Sequence, residues 1–292
     1  MLAPLAAAPP AHHIPLSHAV ALGITQGLSE FLPISSSGHL IVVPWLFGWK
    51  ELTGAANADL NKTFDVALHL GTFVGAVAYF RRDLVELAKG AWASARRRSI
   101  QSPEERLAWL LVVSALPGAA AGALLESVIE EHLGQIWLIA VMLAVFGIVL
   151  FVADRAAERR KAEDFRLRDA VIMGLCQAGA LQPGVSRSGI TITAGRWLGF
   201  DRDSAARVSF LMSLPIIGGA GLYKGVKLLT GGGLPAGTAG AFAAGTVTSA
   251  VTGFAAVWLV LRTVRRRSFA PFVAYRVLAG LALLTVLALG LR

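Results

Sequence analysis

One cysteine and few charges are what this 292-residue sequence is short of, and each shortage closes off a class of protein. A lone thiol, Cys176, forbids an internal disulfide and offers no zinc-type spacing. Charged residues make up only 15% against 55% hydrophobic ones, with mean hydropathy +0.63, which excludes an ordinary soluble domain. A cationic leader is missing as well. Residues 1–17 are rich in Pro and Ala and carry His12 and His13, so a flexible tail that inserts uncleaved is expected there. The net charge of +9 lacks the aromatic interleaving of a nucleic-acid surface, and no nucleic-acid partner is expected.

What the chain does have is apolar length. Stretches 63–80, 107–125, 134–153, 204–229, 237–261 and 270–291 approach or exceed the ~20 residues that a helix needs to cross a bilayer. Lys and Arg are concentrated between them: seven in 81–106, six in 154–168 and four in 262–267. The positive-inside bias makes these loops cytoplasmic, leaving 126–133 (Glu126, Glu130, Glu131) and 230–236 outside. Trp45, Trp49, Trp92, Trp109, Trp137 and Trp197 fall near predicted span ends, as interfacial residues do.

Two further apolar segments, 20–48 and 169–199, are interrupted midway by Pro, Gly and Ser and read as broken helices. They match each other without gaps at a separation of 151 residues: Gly23 with Gly174, Gln26 with Gln177, Ser35 with Ser186, Ser37 with Ser188, Gly38 with Gly189, Gly48 with Gly199. Each is followed by three spans, an odd number, so the loop charges give the two copies opposite orientation. The expected fold is therefore an all-α polytopic membrane protein. It has six transmembrane helices and two re-entrant broken-helix hairpins related as an inverted repeat. Residues 18–292 form one membrane domain, with repeat one at 18–153, a cytoplasmic connector at 154–166 and repeat two at 167–292. The two Ser-rich tips are expected to meet around a polar cavity, because non-helical backbone at membrane depth needs burial or water.

The tips carry the chemistry. In the first, Gln26 and Glu30 project from one helix face, Pro33 ends that helix, and Ser35, Ser36, Ser37, Gly38 and His39 follow. In the second, Gln182-Pro183-Gly184-Val185 leads into Ser186, Arg187, Ser188 and Thr191, with Arg187 where the first copy has Ser36. A helix start with Ser hydroxyls and an Arg fork suits phosphate. Ionisable groups inside apolar segments are functional candidates by default, while a structural ion pair between Glu30 and Arg187 is the plainer alternative. Ser35 and Ser186 also suit a purely capping role, and Gln26 and Gln177 a structural one. Asp65 and His69, four apart on 63–80, reach either the cavity or one another. Arg196, Arg202 and Arg207 read as headgroup anchors without chemistry.

GLSEFLPISSSGH and PGVSRSG, with FDVALHLGT at 64–72 and FRRD at 80–83, resemble the signature regions of the bacterial undecaprenyl-diphosphatase, or bacitracin-resistance, family over nearly the whole chain. The resemblance implies hydrolysis of the C55 polyprenyl diphosphate carrier to its monophosphate, in the inner membrane, with a site opening outward. It also implies a divalent cation, Mg²⁺ or Ca²⁺. Family catalytic positions fall on Glu30, Ser36, His39 and Arg187, and substrate-binding ones on Gln26, Ser35, Ser37, Ser186, Ser188 and Thr191. The family writes Glu or Gln at position 26, and an amide is the weaker ligand, so the cation is expected on Glu30 and diphosphate oxygens. Ser36, His39 and water all remain open as the nucleophile. Bilayer lipid is the other partner, and a homodimer is compatible with the plan. The type-2 phosphatidic acid phosphatases share Ser-Gly-His and Ser-Arg elements, but their Lys-rich first motif and second His have no counterpart. A transporter built on the same inverted repeat is the remaining alternative.

Overall fold

Pro33 forces the extended conformation on Leu32 (φ −61°, ψ 136°) and so stops the first helix at Phe31. That break, repeated once, organises the molecule. The structure is a computed structural model describing residues 14–53, 58–230, 233–234 and 236–292. It contains eleven α-helices among the described residues: α1 Leu16–Phe31, α2 Ser36–Phe47, α3 Ala58–Tyr79, α4 Arg81–Arg97, α5 Pro103–His132, α6 Ile136–Ala153, α7 Leu167–Gly179, α8 Arg187–Trp197, α9 Arg202–Thr230, α10 Ala239–Val264 and α11 Ala270–Ala288. The all-α expectation is met. Five helices, α5, α6, α9, α10 and α11, are long and apolar enough to cross a membrane. The sixth expected span lies in α3, which counts as one only together with α4, bent from it by 84°.

Sequence boundaries shift in three places. The connection expected at 126–133 is helical through His132. Of the tail expected at 1–17, residues 1–13 lie outside the described residues, Ile14 is buried and Leu16 already opens α1. The basic loop 81–106 contains α4, an amphipathic helix that its dense charge had concealed. Parts of 230–236 (231, 232 and 235) lie outside the described residues.

Four of the six matched pairs, Gly23 with Gly174, Ser35 with Ser186, Gly38 with Gly189 and Gly48 with Gly199, behave alike in space. Gly23 lets α1 approach α10, a Cβ there standing 2.6 Å from Gly245 O, and Gly174 lets α7 approach α5, 2.6 Å from Ser114 O. Ser35 and Ser186 both take positive φ (78° and 74°), and each hydroxyl caps the following helix through Gly38 N and Gly189 N. Gly48 and Gly199 both turn the chain at positive φ (66° and 88°). Small residues at such crossings give lipid-embedded helices the close packing that holds them together.

Of the three arginines read as headgroup anchors, Arg196 is turned inward instead, and Arg202 and Arg207, both part-exposed, are held in ion pairs. Arg196 is buried, donating to Phe200 O (2.6 Å), Ala156 O (2.7 Å) and Asp154 O (3.0 Å). Arg202 donates to Asp154 Oδ1 (2.6 Å), and Arg207 pairs with Asp83 on α4. Asp154 itself is buried and accepts Phe269 N (3.1 Å). A guanidinium has five donors to satisfy, and connector carbonyls do so at lower entropic cost than mobile headgroups.

Gly27 faces α10 with a Cβ position 2.7 Å from Ser249 O and 2.8 Å from Gly253 N. Gly27→Ala is expected to lower stability in detergent by about 1–3 kcal/mol through backbone displacement. Gly219→Ala, where a Cβ meets nothing within 4 Å, is expected to leave the thermal midpoint unchanged. Equal midpoints for the two variants would contradict this packing.

Candidate functional site

The two tips meet. Gly184 N donates to Ser35 Oγ (3.0 Å) and Ser188 Oγ donates to Leu32 O (3.2 Å), so each tip supplies a hydrogen-bond partner to the other. Arg276, in the middle of α11, binds both from beneath. Its guanidinium is fully buried and donates to Pro33 O (3.0 Å) in the first tip, to Gly184 O and Val185 O (2.9 Å each) in the second, and to Leu143 O (3.1 Å) on α6. The sequence reading passed over this residue.

Glu30 sits where the tips join. Oε1 accepts from Arg187 Nη2 (2.7 Å), while Oε2 accepts from Ser36 Oγ (2.6 Å) and Gln26 Nε2 (3.0 Å). Two of these partners come from the first copy and the guanidinium from the second. Glu30 follows Gln26 by one helical turn, which explains their contact, and Ser36 is brought back to Glu30 by the Pro33 turn. Arg187 also donates to Ser209 O (3.3 Å) and lies with its guanidinium carbon 5.9 Å from the Phe31 ring centroid. Burial makes the pair an enclosed one: side-chain exposure is 5% for Glu30 and 14% for Arg187.

The imidazole in this group is not the expected one. His39 is engaged elsewhere: Nδ1 donates to Ser35 O (2.7 Å) and Nε2 is 2.6 Å from Tyr275 Oη, the two rings stacking at 5.6 Å. Because a carbonyl oxygen only accepts, Nδ1 carries hydrogen and Nε2 is taken by the phenol. His69 from α3 stands by Glu30 instead, its Nε2 3.6 Å from Oε2. The Asp65–His69 spacing left open on the sequence resolves through the backbone, since His69 Nδ1 donates to Asp65 O (2.7 Å).

The remaining predicted residues surround this group. Ser186 caps α8, with its Oγ 3.3 Å from Ser188 Oγ. Thr191 Oγ1 donates to Arg187 O (2.8 Å) and lies 2.6 Å from Ser209 Oγ, steadying the turn that carries the guanidinium. Ser37 is half-buried and makes no side-chain hydrogen bond among the described residues. Gln26 Oε1 is buried without a donor, and so is Gln177 Oε1 in the second copy, where position 181, matching Glu30, is Leu. A carboxylate beside an unsatisfied amide oxygen fits a hard cation. Among the described residues, no three His, Cys, Asp or Glu side chains group to hold one, so ligand oxygens would have to complete its shell.

Removing one partner of the Glu30–Arg187 pair strands a buried charge. Arg187→Ala is expected to cost about 3–5 kcal/mol of stability, and the double variant Glu30→Gln/Arg187→Gln is expected to recover most of it while remaining inactive. Thermal unfolding in detergent checks this. A double variant no more stable than Arg187→Ala would contradict the pairing.

Comparison with known proteins gives the family. A family model described as bacitracin resistance protein BacA matches residues 19–282. The undecaprenyl-diphosphatase of Pelobacter propionicus is 50% identical over 278 residues, covering 94% of this chain and 98% of that one. Those of Geobacter sulfurreducens (48% over 274 residues; 93% and 98%) and Thermomicrobium roseum (45% over 277 residues; 92% and 96%) are similar along the same length. With the match running from α1 into α11 and through both tips, the chain belongs to the bacitracin resistance protein BacA family.

Proposed function

We propose that the chain hydrolyses undecaprenyl diphosphate to undecaprenyl monophosphate and phosphate, recycling the lipid carrier for cell-wall synthesis and thereby conferring bacitracin resistance. The observation that carries this reading is the join of Ser36 Oγ to Glu30 and of Glu30 to Arg187, a nucleophile, a base and an anion-binding fork within one buried group. Ser36 is the nucleophile. Its proton passes to Glu30 Oε2 as Oγ attacks the terminal phosphorus, and the bond from that phosphorus to the bridging oxygen breaks. The electron pair leaves with the lipid monophosphate. That leaving oxygen takes the proton from Glu30, which restores the carboxylate. Water then attacks the phosphoserine; Glu30 accepts its proton and passes it to Ser36 Oγ as the bond from phosphorus to Oγ breaks and phosphate departs.

Arg187 neutralises charge on the transferring phosphoryl group, for which its donors beyond the two in use remain available. His39 positions the tip through Ser35 O, both ring nitrogens being occupied. Free amides at the starts of α2 and α8 add donors for the phosphates. A divalent cation, Mg²⁺ or Ca²⁺, would be held by Glu30 and, after its amide turns over, Gln26. It would supply further neutralisation of the diphosphate.

The protein is a multi-pass membrane protein, and the polyprenyl tail stays in the apolar phase. An apolar cleft of about 690 Å³ between α3, α9 and α10, lined by Val66, Leu70, Phe242 and Val247 with Lys62 and Lys224 beside them, offers such a lipid a lateral approach along the helix that carries His69. The cationic loops support an insertion with 81–106, 154–168 and 262–267 on the cytoplasmic side of the inner membrane, the first hairpin entering from outside, the second from inside, and the site opening outward.

Ser36→Ala is expected to reduce phosphate release from undecaprenyl diphosphate by about 10³-fold or more, with the protein still folded. Trapping the wild-type chain during turnover should yield an acid-stable phosphoester on the peptide containing Ser36. An acid-labile adduct on nitrogen would overturn the assignment of the nucleophile.

A further inference from the structure

Three facts set His69 apart. Its side chain is partly open, 34% exposed against 5% for Glu30. It has no counterpart in the second copy, where the matching position, 220, is Ala. And its Nδ1 donates to the Asp65 carbonyl, which leaves Nε2 as the nitrogen that faces the carboxylate.

The spacing between the two facing atoms is informative. At 3.6 Å, Nε2 and Glu30 Oε2 are too far apart for a hydrogen bond, whereas two ligand bonds of about 2.1 Å to a shared cation span such a gap. With Nδ1 carrying hydrogen, a neutral ring also turns its Nε2 lone pair towards the carboxylate, an arrangement that a cation between them relieves. An imidazole whose second nitrogen donates to a backbone carbonyl is how proteins fix the orientation of a metal-binding histidine. Close by, Gln26 Oε1 is buried without a donor, and a half-turn of that amide exchanges it with the Nε2 now on Glu30.

We infer that His69 is a ligand of the divalent cation, sharing it with Glu30, and that Gln26 Oε1 and diphosphate oxygens fill further positions. This rests on the diphosphatase reading above for the identity of those oxygens. The absence of a third His, Cys, Asp or Glu among the described residues is then the expected condition of a cation that is fully held only when the lipid diphosphate is present. A nitrogen ligand also tilts the site: Mn²⁺ and Zn²⁺ accept imidazole readily, while Ca²⁺ prefers oxygen throughout. Mn²⁺ is accordingly expected to bind more tightly than Ca²⁺.

The test uses the full chain in detergent with Ser36→Ala to prevent turnover, Mn²⁺ as the probe, and undecaprenyl diphosphate present. Free and bound Mn²⁺ are measured by electron paramagnetic resonance, and the echo envelope of the bound ion is searched for ¹⁴N modulation. Modulation from a directly bound imidazole is expected in the Ser36→Ala protein and is expected to vanish in Ser36→Ala/His69→Gln. Ser36→Ala/His69→Ala is expected to bind Mn²⁺ at least about tenfold more weakly. Bound Mn²⁺ without ¹⁴N modulation, modulation that survives both His69 variants, or no bound Mn²⁺ overturns the inference and leaves His69 and Glu30 as an ion pair. Phosphate release by the unaltered chain is assayed separately. Nitrogen coupling without release defeats the diphosphatase reading alone, and release without nitrogen coupling defeats the cation ligand alone.

Discussion

A guanidinium with no carboxylate partner among the described residues holds the centre of this molecule together. Arg276 is fully buried in an otherwise apolar helix, a position that costs several kcal/mol unless every donor finds an acceptor. The acceptors it finds are carbonyls of Pro33, Gly184 and Val185, backbone groups of the two breaks, together with those of Leu143 and Met142 on α6. Each side solves the other's problem. The arginine is satisfied because the tips are not helical, and the tips tolerate their depth because the arginine is there.

The chemistry follows from that fixed backbone. With Pro33 O anchored, the turn to Ser35 is set, and Ser36 begins α2 with its hydroxyl on Glu30. With Gly184 O and Val185 O anchored, Ser186 takes its positive φ and Arg187 begins α8 pointing across to the same carboxylate. Serine at positive φ is costly, and the hydroxyl's capping bond to the glycine three residues on offsets that cost in both tips. The ion pair is therefore preorganised by contacts that involve neither of its members.

Much of this was legible in the sequence, and the reasons are specific. The Pro, Gly and Ser interruptions and the matches at 151 residues pointed to two tips that meet, because broken backbone in an apolar segment has few physical solutions. Glu30 and Arg187 were recognisable for the same reason, as ionisable groups where lipid would forbid them, while Ser36 was singled out by the family resemblance. His39 was placed in the wrong company. Adjacency to Ser-Ser-Ser-Gly puts it on the first turn of α2, but the chain does not say which way a ring on that turn faces, and Tyr275, 236 residues away, decides it. His69 and Arg276 lie in helices that read as ordinary spans, where periodicity marks a polar face without naming its partner. The α4 helix was lost because its charge looked like loop, and Arg196 because an arginine at a helix end ordinarily reaches for headgroups.

The pairing of Ser36 with Arg187 at matching positions carries one more consequence. Position 36 holds a hydroxyl and its match at 187 a guanidinium, while position 30 holds a carboxylate and its match at 181 a leucine, so the halves bring unlike groups to the junction. Covalent joining frees each half to specialise. Here one half carries the acid and the hydroxyl while the other supplies the opposite charge, so a single ion pair closes the junction where two equal halves would have to form the same contact twice.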